Sequence, residues 1–202
     1  MGTPSTTRGR QTRQRIVAAA TDLVSERGVA GTSLDEVGAR ASTSRSQMYH
    51  YFADKDDLLL AVAAATNDTV LGGQRPLFDG LGSFDGLAKW MDALVEMQEE
   101  LHGRGGCPIA NLVSQLGERD EDIRLELASG LDRWESEIRT GLMNMVAAGE
   151  LLPDADVEWL ASSTLASLQG GLLLTQAHRD PQALRRALSG ALALISTFRA
   201  AE

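Results

Sequence analysis

Apolar residues recur at three- and four-residue spacing through nearly the whole chain, and no stretch of useful length alternates as a half-buried strand does. Leu34, Val37, Ala41, Met48 and Phe52 fall where two short crossed helices would share a core. Asp54 is placed to cap a helix from Lys55 to about Gly72, followed by the joint GGQRPLFDGLG. Ser83 opens the next helix, on which Leu87, Trp90, Met91, Leu94, Gln98 and Leu101 line one face. The break HGRGG precedes Cys107, and Pro108 suits the first turn of a helix through about Leu116. Ile123, Leu127, Leu131, Trp134, Ile138, Leu142 and Met145 mark a long amphipathic helix ending near Gly149. Two more helices, about Val157 to His178 and Pro181 to Arg199, are separated by RDP. The expected fold is all-α, with about nine helices.

The 24 residues from Thr32 to Lys55 carry the densest chemistry. Ser33 with Glu36 reads as a capping box opening a helix from Leu34 to about Ala41, and Ser44 caps a second helix in the same way. Only Ser42 and Thr43 remain for the turn. The outward residues of the second helix are Arg45, Ser46, Gln47, Tyr49 and His50. Arg pairs bidentately with guanine and Gln with adenine, while hydroxyl and imidazole groups hold phosphates, so this helix suits a DNA major groove. The alternative is a solvated helical hairpin with incidental polar residues.

The run from Thr12 to Val62, with its first-helix pattern ending at Gly28, the TSLDEV segment, the MYHYF block and Lys55 before LLLAV, closely resembles the N-terminal domain of the TetR family of bacterial transcriptional regulators. Ser42 and Thr43 depart from the family's usual glycine and small aliphatic residue in the turn. The resemblance implies that Arg45, Ser46 and Gln47 face bases, that Tyr49, His50 and the Lys55 amine meet phosphates, and that Thr32 and Ser33 lie near the DNA backbone. It also implies a division into a basic arm over 1–11, a helix-turn-helix domain over 12–58 and a ligand-binding and dimerisation domain over 59–202.

Charge sharpens this picture. The 202-residue chain carries a net charge of -9, which is unusual for a DNA binder. Residues 1–60 hold 8 Lys or Arg against 7 Asp or Glu, so the acidity lies in the remainder. Arg8, Arg10, Arg13 and Arg15 precede any acidic residue and form either a phosphate-seeking arm or part of a solubilising tail. No segment reads as a signal peptide or membrane span, and a single cysteine excludes an intramolecular disulfide framework, which together predict a cytoplasmic protein.

The last two helices are expected to make a homodimer through Leu165, Gly170, Gly171, Leu174, Leu184, Leu188, Ala191, Leu192 and Ile195, since small residues let helices approach closely. Closure of the monomer core is the alternative. A small-molecule effector of unknown identity is expected among Trp90, Met91, Leu94, Gln98, Cys107, Asn111, Trp134, Ile138, Leu168, Gln169 and Leu172, with the three amides as orienting groups. The segment GGCPIANLVSQLGE also resembles C-terminal domains of TetR-like regulators with a GC-P sixth helix, some of which sense electrophiles. Cys107 at a helix N-terminus beside Arg104 is therefore either a reactive sensor or a small core residue. The three histidines, His50, His102 and His178, are far apart, and no metal cluster, phosphate loop or nucleophile elbow is present, so neither catalysis nor a cofactor is expected. The functional expectation is a repressor released from a palindromic DNA operator by its effector, with a protein-binding helical adaptor as a further alternative.

Overall fold

The structure, a computed structural model, describes residues 6–200. Among the described residues there are nine helices: α1 Thr7–Arg27, α2 Leu34–Arg40, α3 Arg45–Tyr51, α4 Lys55–Phe78, α5 Phe84–Glu100, α6 Pro108–Leu116, α7 Glu121–Ala147, α8 Val157–His178 and α9 Gln182–Ser196. The all-α expectation holds, relieved only by an isolated bridge between Leu151 and Arg199.

The helices form two compact units. The first holds the chain through Val70 together with Asn111–Gly130; the second holds Leu71–Ala110 and the chain from Leu131 onward. This division differs from the one read at residue 58. Leu58, Leu59, Val62 and Ala63 of α4 are buried, and residues distant in sequence return to the first unit. The side chain of Gln115 accepts the Val29 N–H at 2.8 Å, Arg119 reaches Asp56 at 2.8 Å, and Asn67 donates to the Glu126 carbonyl at 2.7 Å. Hydrophobic periodicity is local and carries no trace of such returns.

Helix α1 begins at Thr7, inside the stretch read as a basic arm, because the Thr6 hydroxyl caps it by accepting the Gly9 N–H. Arg13 then lies over the Phe52 ring at 5.0 Å, and Arg15 donates to the Ala41 carbonyl at 3.2 Å. These two arginines brace the helix bundle. The earlier part of the arm lies outside the described residues.

Helix α4 runs six residues past its expected end at Gly72, through Gly73 and Pro76. Tertiary contacts outweigh these local helix breakers. Gln74 accepts the indole N–H of fully buried Trp90 at 2.9 Å, Arg75 faces Glu137 at 3.5 Å, and Phe78 is buried.

The second unit is organised around α8 and α9, whose buried faces interlock. A Cβ on Gly171 would lie 3.0 Å from Ala187 Cβ, and the Thr175 hydroxyl accepts the Leu184 N–H at 3.1 Å. Leu165, Gly171, Leu184, Leu188, Ala191 and Ile195 are all buried within the protomer, and Leu192 is half-buried. The six buried residues are withdrawn from the dimer interface, because the most apolar stripe of each helix is already consumed by the protomer core. Of the expected interface, only Gly170 and Leu174 remain exposed.

In the first unit Gly130 is indispensable, since an added Cβ would collide with the buried Asn67 carboxamide. Replacement Gly130→Ala is expected to destabilise the protein by about 1–3 kcal/mol through overpacking, despite alanine's better helix propensity. A lower urea midpoint would register it; an unchanged or higher midpoint would contradict the account.

Candidate nucleic-acid interface

The site starts from two helices of only seven residues, too short to be stable alone in water. Each has a full capping box. Ser33 Oγ accepts the Glu36 N–H at 3.3 Å while Glu36 accepts the Ser33 N–H at 3.0 Å. The Ser33 hydroxyl, which donates to Glu36 Oε2 at 2.7 Å, and then the Ser33 N–H hold the Glu36 carboxyl below its usual pKa range. Ser44 Oγ accepts the Gln47 N–H at 3.2 Å, and Gln47 Oε1 accepts the Ser44 N–H at 3.0 Å.

Between them the chain closes a Schellman turn. The Thr43 N–H donates to the Gly38 carbonyl at 2.9 Å and the Ser42 N–H to the Ala39 carbonyl at 3.2 Å. Ser42 occupies the left-handed position, at φ 51°, where glycine would carry no steric penalty. Gly38 brings the helices together: a Cβ there would lie 3.3 Å from Met48 Cγ and 3.4 Å from the Thr43 carbonyl oxygen. Met48 and Phe52 are buried, as their spacing predicts.

The outward face of α3 presents Arg45, Ser46, Gln47, Tyr49 and His50, all exposed. Arg45 is steadied from two sides, its guanidinium 5.9 Å from the Tyr49 ring centre and 4.0 Å from Asp35. Hydrogen bonding to Tyr49, then the charge of Asp35, raises its pKa further, so it is a permanent cation. Asp35 was not singled out in the sequence; its place in the first turn of α2 gives no signal until the α2–α3 crossing is known. His50 meets Tyr51 edge-on at 5.0 Å.

Three expected contacts look different in three dimensions. Thr32 is buried, and its hydroxyl donates to the Gly28 carbonyl at 2.9 Å, so it fastens the α1–α2 loop and is unavailable to a ligand. Lys55 is half-buried, with its ammonium donating to the Val29 carbonyl at 2.8 Å; two of its three N–H bonds point elsewhere. The Gln47 oxygen is engaged in the cap, leaving its NH2 group as a donor, so bidentate pairing with adenine would have to share that oxygen with the Ser44 N–H.

In the second unit Trp90, Met91, Leu94, Cys107, Trp134, Ile138, Leu168 and Leu172 are buried core, as is Gln98. The Trp90 N–H is taken by Gln74. Gln98 Nε2 and Oε1 and Trp134 Nε1 are buried without a hydrogen-bond partner, and buried Gln169 has none beyond the Cys107 thiol. Asn111 is half-buried and belongs to the other compact unit.

Cys107 does sit at the start of α6, but it is buried, as a small core residue would be. Burial pushes the thiol up, and the Ala110 and Ile109 amides with the Gln169 side chain offset this only in part. Among the described residues no group of three or more His, Cys, Asp or Glu is placed to hold a metal, and no helix is long and apolar enough to cross a membrane.

Comparison with known proteins matches this arrangement. The model described as "Bacterial regulatory proteins, tetR family" matches residues 16–62, and "Tetracyclin repressor-like, C-terminal domain" matches residues 83–191. A helix-turn-helix transcriptional regulator from the lacX 3' region of Lactococcus lactis is 29% identical over 176 residues, covering 85% of this chain and 86% of the relative. Transcriptional regulator AcuR of Cereibacter sphaeroides is 29% identical over 177 residues, covering 85% of this chain and 79% of AcuR. The crystal structure of a TetR transcriptional regulator from Chloroflexus aurantiacus aligns with a TM-score of 0.78 at 26% identity, covering 97% of this chain and 100% of that one.

The double role of Gln47 can be separated by mutation. Gln47→Glu keeps an oxygen for the Ser44 N–H but removes the outward donor and adds a negative charge. It is expected to keep the wild-type urea midpoint while weakening DNA binding. Gln47→Ala is expected to lose about 1 kcal/mol of stability with the cap; equal stability in both variants would contradict the capping assignment.

A thiol retained in the native state above its ordinary pKa of about 8.5 favours the unfolded state as pH rises, because the unfolded chain releases that proton first. Stability is therefore expected to decline above that pH, and less so in Cys107→Ala. Alkylation of the native protein is expected to be much slower than of the urea-unfolded chain; equal rates would restore the reactive-thiol reading.

Proposed function

The chain belongs to the TetR family of bacterial transcriptional regulators, and from that premise we propose that it is a cytoplasmic, homodimeric repressor released from a palindromic operator by a small-molecule effector. It is a DNA-binding regulator and not an enzyme. Regulators of this family bind DNA operators and act as dimers.

The observation that carries the reading is the doubly capped α2–α3 pair, which presents Arg45, Ser46, Gln47, Tyr49 and His50 together on one exposed face. Arg45 is assigned to a guanine edge. Ser46 and the Gln47 NH2 group are assigned to bases or phosphates as donors, and Tyr49, His50 and the free N–H bonds of Lys55 to phosphates. Ser33 remains a candidate for backbone contact; Thr32 is withdrawn.

The dimer interface is assigned to the faces of α8 and α9 left uncovered by the protomer. Ala166, Gly170, Leu173 and Ala177 repeat at helical spacing on α8 and are exposed, with Leu174 at their margin. Ser189, Gly190 and Ala193 do the same on α9. A Cβ on Gly170 or Gly190 would meet nothing within 4 Å, so packing inside the protomer does not account for either glycine. Each costs about 1 kcal/mol of helix propensity relative to alanine, which close approach of a second copy would offset. Leu173 is 64% exposed and Leu174 48%, adjacent apolar side chains in need of cover.

Two reading heads joined in this way would address half-sites one helical turn apart, about 34–36 Å, on successive major grooves. An effector releases the operator if it binds another state of the dimer better, and a difference of about 1–3 kcal/mol suffices for several-fold to hundredfold changes. The electrophile-sensing alternative through Cys107 is disfavoured by burial of the thiol.

Fluorescence anisotropy at fixed salt, comparing DNA from the chain's own upstream region with a scrambled duplex, tests the whole reading. Selective binding is expected, with Arg45→Ala losing about 1–3 kcal/mol of discrimination. Leu173→Glu with Leu174→Glu is expected to give a monomer by sedimentation and to weaken operator binding about a hundredfold or more through lost bivalency. Equal binding to both duplexes, with no preferred site in a random-duplex selection, would overturn the DNA assignment, and a dimeric double variant would overturn the interface.

A further inference from the structure

Gln98 on α5 is 0% exposed, and both its amide nitrogen and its oxygen lack a hydrogen-bond partner. Gln169 on α8 has both amide atoms sealed from solvent, with no partner beyond the weakly polar Cys107 thiol. Trp134 Nε1 of this unit also lacks a partner, whereas the Thr164 hydroxyl donates to the Leu160 carbonyl at 2.7 Å and Thr175 accepts from Leu184. Leaving a buried carboxamide unmet is costly, so two in one compact unit call for a bound group.

The loop that follows Gln98 rests on α8. The Gln98 backbone carbonyl accepts the Gly103 N–H at 2.8 Å, and a Cβ on Gly103 would lie 3.1 Å from the Thr175 carbonyl oxygen. Four residues further on, Cys107 meets Gln169 itself. Gln169 and Thr175 are six residues apart on one helix, a rise of about 9 Å. The α5–α6 loop thus links the end of the helix that carries Gln98 to the helix that carries Gln169. Leu94 stands one turn before Gln98, and Leu168 and Leu172 flank Gln169 within a turn, all three buried.

Among the described residues no Asp, Glu, Lys, Arg or His of this unit is buried as a whole, and the buried Nε of Arg139 is already paired with Glu158 at 2.7 Å. An ionised ligand group would enter without a countercharge, whereas a neutral group with its own donor and acceptor would satisfy both carboxamides.

We propose that Gln98 and Gln169 form the polar end of the effector site, and that this site selects uncharged molecules bearing a carboxamide-like pair of hydrogen-bond donor and acceptor on an apolar body. This rests on the effector reading above and specifies its chemistry. The Cys107 thiol borders the same site as a neutral, weakly polar wall.

The test uses the full chain without DNA and three probes of one shape: benzamide, benzoate and benzamidine, which at neutral pH are uncharged, anionic and cationic. Binding is read from the Gln98 and Gln169 side-chain NH2 resonances, assigned by their loss in Gln98→Met and Gln169→Met, and from the thermal midpoint. Benzamide at millimolar concentration is expected to shift both resonances and raise the midpoint, with the two ions at least about tenfold weaker. Gln98→Met, which removes an unmet amide at similar volume, is expected to raise the midpoint of the free protein and abolish the benzamide response. The proposal is overturned if either ion binds as well as benzamide, or if no probe moves the two resonances. It is also overturned if Gln98→Met lowers the midpoint and still responds. Failure to discriminate operator from scrambled DNA would instead strike the regulator reading, leaving the probe result to stand by itself.

Discussion

The reading surface depends on one constraint: a seven-residue helix does not hold itself together. Nucleating a turn fixes several dihedrals for one hydrogen bond, and α2 and α3 have too few further bonds to recover that cost. Their existence therefore rests on their ends and on the contact between them. Ser33 with Glu36 and Ser44 with Gln47 satisfy the N-terminal amides, the Ser42–Thr43 turn satisfies the last carbonyls of α2, and Gly38 admits Met48. Because these interactions fix both the start and the tilt of α3, they also fix where Arg45 points. Arg13 over Phe52 and Arg15 on the Ala41 carbonyl extend the same bracing back to α1.

What the sequence revealed follows from the range of each interaction. Capping boxes span three residues and the turn two, so the α2–α3 unit was legible to within a residue. The roles of Thr32, Lys55 and Gln47 were not, because each depends on a specific acceptor or donor: the Gly28 carbonyl, the Val29 carbonyl and the Ser44 N–H. Helix α4 passes through Gly72, Gly73 and Pro76 because Trp90 and Glu137, distant in sequence, hold it there. The return of Asn111–Gly130 to the first unit was equally invisible. Local pattern gives the elements; the partners of their polar atoms come only with the fold.

The dimer face shows a more general way in which pattern misleads. The strongest apolar stripe on an amphipathic helix is the one its own chain uses, so Leu184, Leu188 and Ile195 vanish into the protomer. An interface has to be sought in what remains: exposed leucines beside glycines that have no packing reason to be glycine. Gly171 and Gly170 are neighbours with opposite meanings, the first pressed against Leu184 and Ala187, the second facing open space. Composition cannot separate them, since both read as small residues in the same run.

The same reasoning applies to the polar groups of the core. Natural sequences agree with themselves across levels, and where a local rule is broken without compensation, function is the first explanation to test. Gln98 and Gln169 break the rule that buried amides are paired, while Thr164 and Thr175 in the same unit obey it. Both glutamines lie in the second unit, where Cys107, at the end of the loop that follows α5, meets Gln169. A core optimised for stability alone would carry leucine or methionine at these positions. Retaining the amides lowers the stability of the free protein and so widens the gain available on binding, since a ligand that satisfies them recovers what the free protein lacks. That differential is what an effector needs to shift a two-state dimer, because a molecule that meets both states equally moves nothing, however tightly it binds.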